Sequence, residues 1–366
     1  SNAMNIGFIG LGSVVETAYL PALKALSLPV TQICGYDRNP LRVLPGVTVY
    51  ESLAALLAQP IDTLFITTVS LAHLPVLEQA LRSPIPRIVV EKPIAATLEQ
   101  LTALRQLLSV PDNARRVLAL DHWMARDGVL CLAQGRMDDR WQPEDGAVID
   151  RPVVTSLDDI VSIDGFLLEP SGYNAAGEPI ALNFATGQPD TRQLRHPDGV
   201  IVDIGTHVLA MMRETVRYLG GSDDIVLCAE RVRDRLGRPI ALGDIETAEG
   251  EAHLVGTLGG IAVNLWLNKY AGPGVERKGI RITLRDGRVI SQNRSPEGER
   301  AELICGDSIL GWTRRGAIYA HCLGEQILGA QSLYSRAPQE VAKLTARRIG
   351  EVEALLQIQQ RLRGTH

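Results

Sequence analysis

The chain has 366 residues, of which Ser1, Asn2 and Ala3 precede Met4 and read as an expression-tag remnant; the rest is long enough for two domains. With 45% hydrophobic and 22% charged residues it has a globular composition that buries about 75% of the unfolded surface, which excludes disordered and collagen-like classes. The balance of 37 basic against 42 acidic residues gives a net charge of −5 with no long Lys/Arg run, so a nucleic-acid footprint is absent.

The first third alternates short apolar runs with helical patterns, the signature of βαβ units and a parallel sheet. Strands are predicted at Asn5 to Ile9, Thr31 to Tyr36, Val47 to Val49, Thr63 to Thr67, Arg87 to Val90 and Val117 to Leu120. Helices are predicted at Val14 to Leu26, Leu53 to Ala58, Pro75 to Leu81 and Leu98 to Leu108, with Thr97 and Gln100 as a capping box for the last. Beyond residue 122 comes a helical stretch, then polar segments punctuated by Pro and Gly at Trp141 to Arg151 and Glu169 to Pro197. Alternating segments follow at Ile225 to Val232, Glu249 to Val255, Ile261 to Leu267, Ile280 to Leu284 and Val289 to Gln292, with Asp286-Gly287 as a hairpin turn. One strong helix, 338–363, closes the chain. The predicted class is α/β: a Rossmann-type dinucleotide-binding domain over 4–122, and an α+β domain over 123–366 built on a large, mainly antiparallel sheet.

Gly10-Leu11-Gly12 follows the first strand and opens a helix, so backbone amides and the helix's positive end can face a pyrophosphate. Gly10, Leu11, Gly12, Ser13 and Val14 are therefore the candidate cofactor cradle; Val15 stands where the fingerprint prefers a third Gly or Ala. Asp37 ends the second strand, where a carboxylate can accept the adenosine ribose hydroxyls and repel a 2′-phosphate, which favours NAD. Arg38 beside it can bind that phosphate, so NADP stays open. A plain turn at Asp37-Arg38-Asn39-Pro40 is the bland alternative.

Glu91-Lys92-Pro93 stands at the carboxyl end of the fifth strand, the edge where ligands bind in parallel sheets. Farther on, Asp203 and His207 stand at i and i+4 on one helical face, with Ile201, Ile204, Val208 and Met211 on another. With the glycine loop, the segment Thr67-Thr68-Val69-Ser70-Leu71-Ala72-His73, Glu91-Lys92-Pro93 and Asp203-Ile204-Gly205-Thr206-His207, the chain resembles the glucose-fructose oxidoreductase and inositol dehydrogenase (Gfo/Idh/MocA) family. The resemblance covers most of the chain and is strongest over residues 4 to 122. It implies a catalytic trio in which Lys92 polarises the reacting hydroxyl, Asp203 orients, and His207 accepts the proton while hydride moves to nicotinamide. It also implies cofactor-side roles for Thr68, His73, Glu91 and Lys92, and a cis Lys92–Pro93 bond. The lysine opposes protonation of His207 and Asp203 favours it, so the imidazole can serve as a base near neutral pH. The acid usual three residues beyond that histidine is Ala210 here.

Asp121-His122-Trp123-Met124-Ala125-Arg126 departs from the family pattern and looks like the D-H-Y-L-G-K segment of glucose-6-phosphate dehydrogenases. By that likeness His122 and Arg126 contact an anionic or phosphorylated sugar. A strand cap and a surface charge are the alternatives. Tyr173 is a further pocket candidate. The function implied is an NAD(P)-dependent oxidoreductase acting on a secondary alcohol of a sugar, inositol or sugar phosphate. A non-catalytic dinucleotide or sugar sensor and an NAD-dependent glycoside hydrolase are the alternatives.

Cys34, Cys131, Cys228, Cys305 and Cys322 are scattered with no C-x-x-C pair, which predicts free thiols, a reducing compartment and no metal centre. No basic leader and no purely apolar stretch of membrane length is seen, so the expectation is a cytoplasmic protein without a membrane or nucleic-acid partner. The exposed strands of the second domain suit a homodimer or homotetramer.

Overall fold

A computed structural model describes residues 3–121, 126–183, 188–190 and 199–364. Their contacts gather into two units, one of residues up to 121 with 319–353, the other of 126–183, 188–190, 199–318 and 354–364.

In the first unit, strands β1 (Met4–Ile9), β2 (Val30–Tyr36), β3 (Thr48–Val49), β4 (Thr63–Ile66), β5 (Arg87–Val90) and β6 (Val117–Ala119) form a parallel sheet in the order β3-β2-β1-β4-β5-β6. The order reverses between β1 and β4, which opens a crevice at the carboxyl ends of those strands. Helices on both faces make the central strands apolar throughout: Ile6, Phe8, Leu64, Phe65 and Ile66 are fully buried. The rings of Phe8, Tyr19 and Phe65 pack with centroids 5.2–5.5 Å apart. At the expected capping box the Gln100 amide donates to Thr97 Oγ1 (3.0 Å), but the Gln100 side chain returns to the Ala96 amide (2.9 Å), one residue before the cap.

The carboxy-terminal part of the chain covers the exposed edge of this sheet. Thr345 accepts from the Ala119 amide (3.1 Å) and donates to the Val117 carbonyl (3.0 Å), and the Tyr334 hydroxyl donates to the Arg116 carbonyl (2.7 Å). Residues 319–353 thus belong with the first unit, whereas the sequence reading assigns all of 123–366 to the second. The helix Pro338–Arg363 begins in one unit and ends in the other. Its apolar period announces a buried face and says nothing of which sheet buries it.

In the second unit, β7 (Gln142–Pro143) and β8 (Ile160–Leu168) precede a small hairpin of β9 (Ala181–Asn183) and β10 (Gln188–Asp190). Then follow β11 (Ile225–Arg233), β12 (Glu251–Leu258), β13 (Ile261–Asn268), β14 (Arg277–Leu284), β15 (Val289–Ser295), β16 (Gly298–Cys305) and β17 (Ser308–Arg315). Apart from the hairpin these make a nine-stranded sheet in the order β11-β12-β13-β8-β14-β15-β16-β17-β7, antiparallel except for the β13–β8 pair. The central β8 was not legible in the sequence, because Asp164 and Gly165 interrupt its apolar run. Gly165 has a packing reason. A Cβ there would stand 2.5 Å from Val208 Cγ1, so its absence lets the helix Gly205–Tyr218 lie directly on the sheet. Among the described residues no helix is long and apolar enough to cross a membrane.

Candidate active site

The glycine loop is built by backbone groups. Gly10 takes a positive φ of 97°, and its amide donates to the Tyr36 carbonyl (2.8 Å). A Cβ at Gly10 would stand 2.7 Å from the Thr67 carbonyl and the Thr68 nitrogen, so any other residue would push the loop off the end of β4. Thr67 Oγ1 donates to the Gly10 carbonyl (2.7 Å) and fixes that contact. Around Gly12, in contrast, a Cβ would meet nothing within 4 Å. This open glycine at the mouth of a strand–helix turn suits the close approach of a pyrophosphate, so the residues present fit a dinucleotide.

Asp37 supports the loop. Its Oδ2 accepts the Leu11 amide (2.7 Å) and its Oδ1 the Asn39 amide (2.8 Å), while Arg42 Nε donates to the Leu11 carbonyl (2.7 Å). Arg38 is exposed. Ser13 is exposed and Val14 half-buried, and the Ser13 carbonyl accepts the Thr17 hydroxyl (2.7 Å).

At the carboxyl end of β5 the Lys92–Pro93 peptide is cis and Lys92 is half-buried. Glu91 turns inward: its Oε1 accepts the Tyr319 hydroxyl (2.8 Å) and its Oε2 the Lys92 amide (3.3 Å). Burial raises its pKa to about 7, Asp121 adds to that, and Tyr319 and Lys92 oppose it. His73 is buried beneath the same loop, with Nδ1 facing the Pro93 carbonyl (2.7 Å) and Nε2 the Thr68 carbonyl (3.0 Å). Burial pushes this imidazole's pKa down despite those carbonyls. Both nitrogens face backbone carbonyls, so His73 ties the β4 loop to the β5 loop.

The second unit holds the Asp-x-x-x-His motif. Asp203 ends the helix Val200–Asp203, and after Ile204 the helix Gly205–Tyr218 carries His207, which is buried. The Val208 amide still reaches the Ile204 carbonyl (3.4 Å), so the helical run continues across the junction. Asp203 forms an ion pair with Lys269, directly after β13. Sequence reasoning missed Lys269, since 66 residues separate the partners and no motif joins them. The Lys269 backbone is fixed on both sides: its amide donates to Gly250 O (3.1 Å) and its carbonyl accepts from Gly172 N (2.7 Å). The next residue, Tyr270, accepts the Tyr173 hydroxyl at its carbonyl (2.9 Å). The dipeptide Lys269–Tyr270 therefore gathers Asp203 and Tyr173, two of the predicted residues, into one neighbourhood.

A second buried pair anchors the start of this motif. Glu249 Oε1 accepts the Ile201 amide (3.0 Å) and the Gln359 side-chain amide (2.8 Å), and its Oε2 meets Arg363 Nη2 at 2.7 Å with both side chains fully buried. Gly199 leaves room for it, because a Cβ there would stand 2.6 Å from Glu249 Oε2. Burial raises the Glu249 pKa and Arg363 opposes the rise.

The structure corrects the reading of Arg126 as a substrate contact. Its guanidinium is buried, pairs with Glu299 at 2.8 Å and donates to the Lys278 carbonyl at 2.8 Å. Such a group is a structural ion pair rather than an exposed anion receptor. His122 lies outside the described residues. All five cysteines are free thiols. Among the described residues Asp127, Cys131 and Asp138 bring three metal-type ligand atoms together. However, Arg140 pairs with both carboxylates and Arg314 stands 3.7 Å from Asp127, while burial pushes the Cys131 thiol up to about 11. The cluster is an ion-pair network.

Residues 4–116 match the profile of the oxidoreductase family with an NAD-binding Rossmann fold, Gfo/Idh/MocA. No curated protein matches the sequence. Solved structures share the fold over the whole length. The 3-ketoreductase KijD10 from Actinomadura kijaniata, in complex with NADP and TDP-benzene, aligns at TM-score 0.66 and 16% identity over 96% of this chain and 97% of that one. The UDP-N-acetylglucosamine 3-dehydrogenase GnnA from Acidithiobacillus ferrooxidans aligns at TM-score 0.66 and 18% identity over 100% and 99%. Residues 4–116 thus match the Gfo/Idh/MocA family of NAD-binding oxidoreductases, and the chain shares the fold of these solved structures along its length.

Proposed function

We propose that the protein transfers a hydride between a nicotinamide dinucleotide and a secondary alcohol carbon of a sugar, inositol or sugar phosphate, including sugars carried on a nucleoside diphosphate. The observation that carries this reading is the buried, ion-paired Asp203 four residues before His207, in a chain whose first unit has an open glycine loop after β1 and Lys92 at the carboxyl end of β5. Gly10, Leu11, Gly12, Ser13 and Val14 would hold the pyrophosphate and Asp37 the adenosine ribose, with NAD preferred by the carboxylate. When bound, the nicotinamide supplies the hydride acceptor or donor.

The chain's own residues move the proton. Lys92 donates a hydrogen bond to the reacting oxygen and stabilises negative charge developing there. His207 accepts the hydroxyl proton at an imidazole nitrogen in the oxidative direction and returns it in reduction. Asp203 orients. With Arg126 committed to Glu299, a phosphate on the substrate requires another cation. Turnover is tested by following reduced nicotinamide against a panel of polyols, sugars, sugar phosphates and nucleoside-diphosphate sugars with NAD and NADP. Tight NAD(H) binding with no turnover and no oxidised or reduced product on any member would count against the proposal.

A further inference from the structure

We propose that Lys269 is a positioning residue of this reaction: it compensates the Asp203 carboxylate and thereby keeps His207 a neutral imidazole, the form a base requires. The inference rests on the functional reading above and deepens it. An aspartate four residues before a histidine on one helical run favours the imidazolium, by about 1–3 pH units for a charge within contact range. Asp203 does not act as a lone charge, because the Lys269 ammonium is paired with it.

The surroundings make the ammonium a fixed group. Burial pulls the Lys269 pKa down, but Asp203 and Glu169 outweigh it, and the net direction is upward, so the lysine stays charged. Glu169, just past β8, is itself held by Lys278 on β14 (3.0 Å) and by the Ser171 hydroxyl (2.8 Å). Asp203, Lys269, Glu169 and Lys278 form a row of alternating charge that sums to zero. Deleting Lys269 leaves that row net negative and strengthens the field of the Asp203 carboxylate at His207. The two backbone bonds that pin Lys269 and the Tyr173–Tyr270 contact beside it give the pair a single geometry.

The test is the imidazole pKa of His207, read by NMR titration in the full-length protein and assigned by the signal lost in His207→Gln. Lys269→Met should raise this pKa by about one unit or more, while Lys269→Arg stays near wild type. In turnover the acid limb of the pH–rate profile should move to higher pH by the same amount. Should the methionine variant not fold, Lys269→Gln, which keeps a hydrogen bond to Asp203, gives the same comparison. An unchanged His207 pKa in a folded Lys269 variant overturns the proposal. Failure of the functional reading looks different: Asp203→Asn and His207→Gln would then leave turnover intact, whatever the NMR titration shows.

Discussion

The two units hold their functional groups by opposite means. In the first, the candidate cofactor cradle is made of backbone: a left-handed Gly10, an open Gly12, the Leu11 amide held by Asp37 and the Gly10 carbonyl held by Thr67. Residues 1 to 122 carry nine basic and nine acidic groups, so no net charge attracts the dinucleotide there. In the second, the Asp203–His207 motif is held by buried ion pairs, Glu249–Arg363 at its start and Asp203–Lys269 at its centre. The difference follows from the chemistry required. A pyrophosphate is bound by oriented dipoles that need no counter-ion, whereas a proton-transferring imidazole must have its local field set by specific charges.

The largest effect should come from Arg363→Met. Removing the cation leaves Glu249 buried and unpaired, which costs about 3–5 kcal/mol. The double variant Glu249→Gln/Arg363→Met should recover much of that loss in denaturant unfolding. A single variant as stable as wild type would show that the charge pair is not what secures the second unit's motif.

The next effect concerns Glu91, an ionisable group in the first unit that is buried at the end of β5. Its folded-state pKa of about 7 lies above the ordinary 4.5, so its stabilising contribution is complete below about 4.5 and is lost as pH rises through 7. The difference amounts to about 3 kcal/mol. Wild type should therefore lose stability on this scale between pH 5 and pH 8, and Glu91→Gln should not. Parallel pH dependences in the two proteins would contradict the assignment.

Smaller effects probe the cradle. Gly10→Ala places a Cβ against the Thr67–Thr68 backbone at a strained φ and should weaken NADH binding about tenfold or more, measured by fluorescence titration. Asp37→Ala should shift the NADH-to-NADPH affinity ratio toward NADPH about tenfold, through loss of like-charge repulsion. A preference unchanged by that substitution would leave Asp37 as a support for Leu11 alone.

The same contrast explains what the sequence could show. Local devices were legible: the strand–turn–helix with Gly10 and Gly12, the strand ends at Asp37 and Glu91, and the i, i+4 pair Asp203 and His207 all lie within short windows. Partners supplied from afar were not. Nothing near Asp203 announces Lys269, and nothing near Glu249 announces Arg363, 114 residues on. Nor does Glu91 announce Tyr319, 228 residues on. Strands β16 and β17 escaped notice because Glu299, Arg300, Arg314 and Arg315 break their apolar alternation. Arg126 was misread for a related reason: its motif suggested an anion, and the anion turned out to be Glu299.

The central claim is that the chain's backbone cradle binds the dinucleotide while Lys92 and His207 carry out the chemistry. The most direct measurement is turnover and NAD(H) affinity in Lys92→Ala and His207→Ala on the best substrate of the panel. The expected result is a rate lowered about 100-fold or more in each variant with cofactor affinity nearly unchanged. Wild-type rates in both variants, or a rate loss explained wholly by lost cofactor binding, would contradict it.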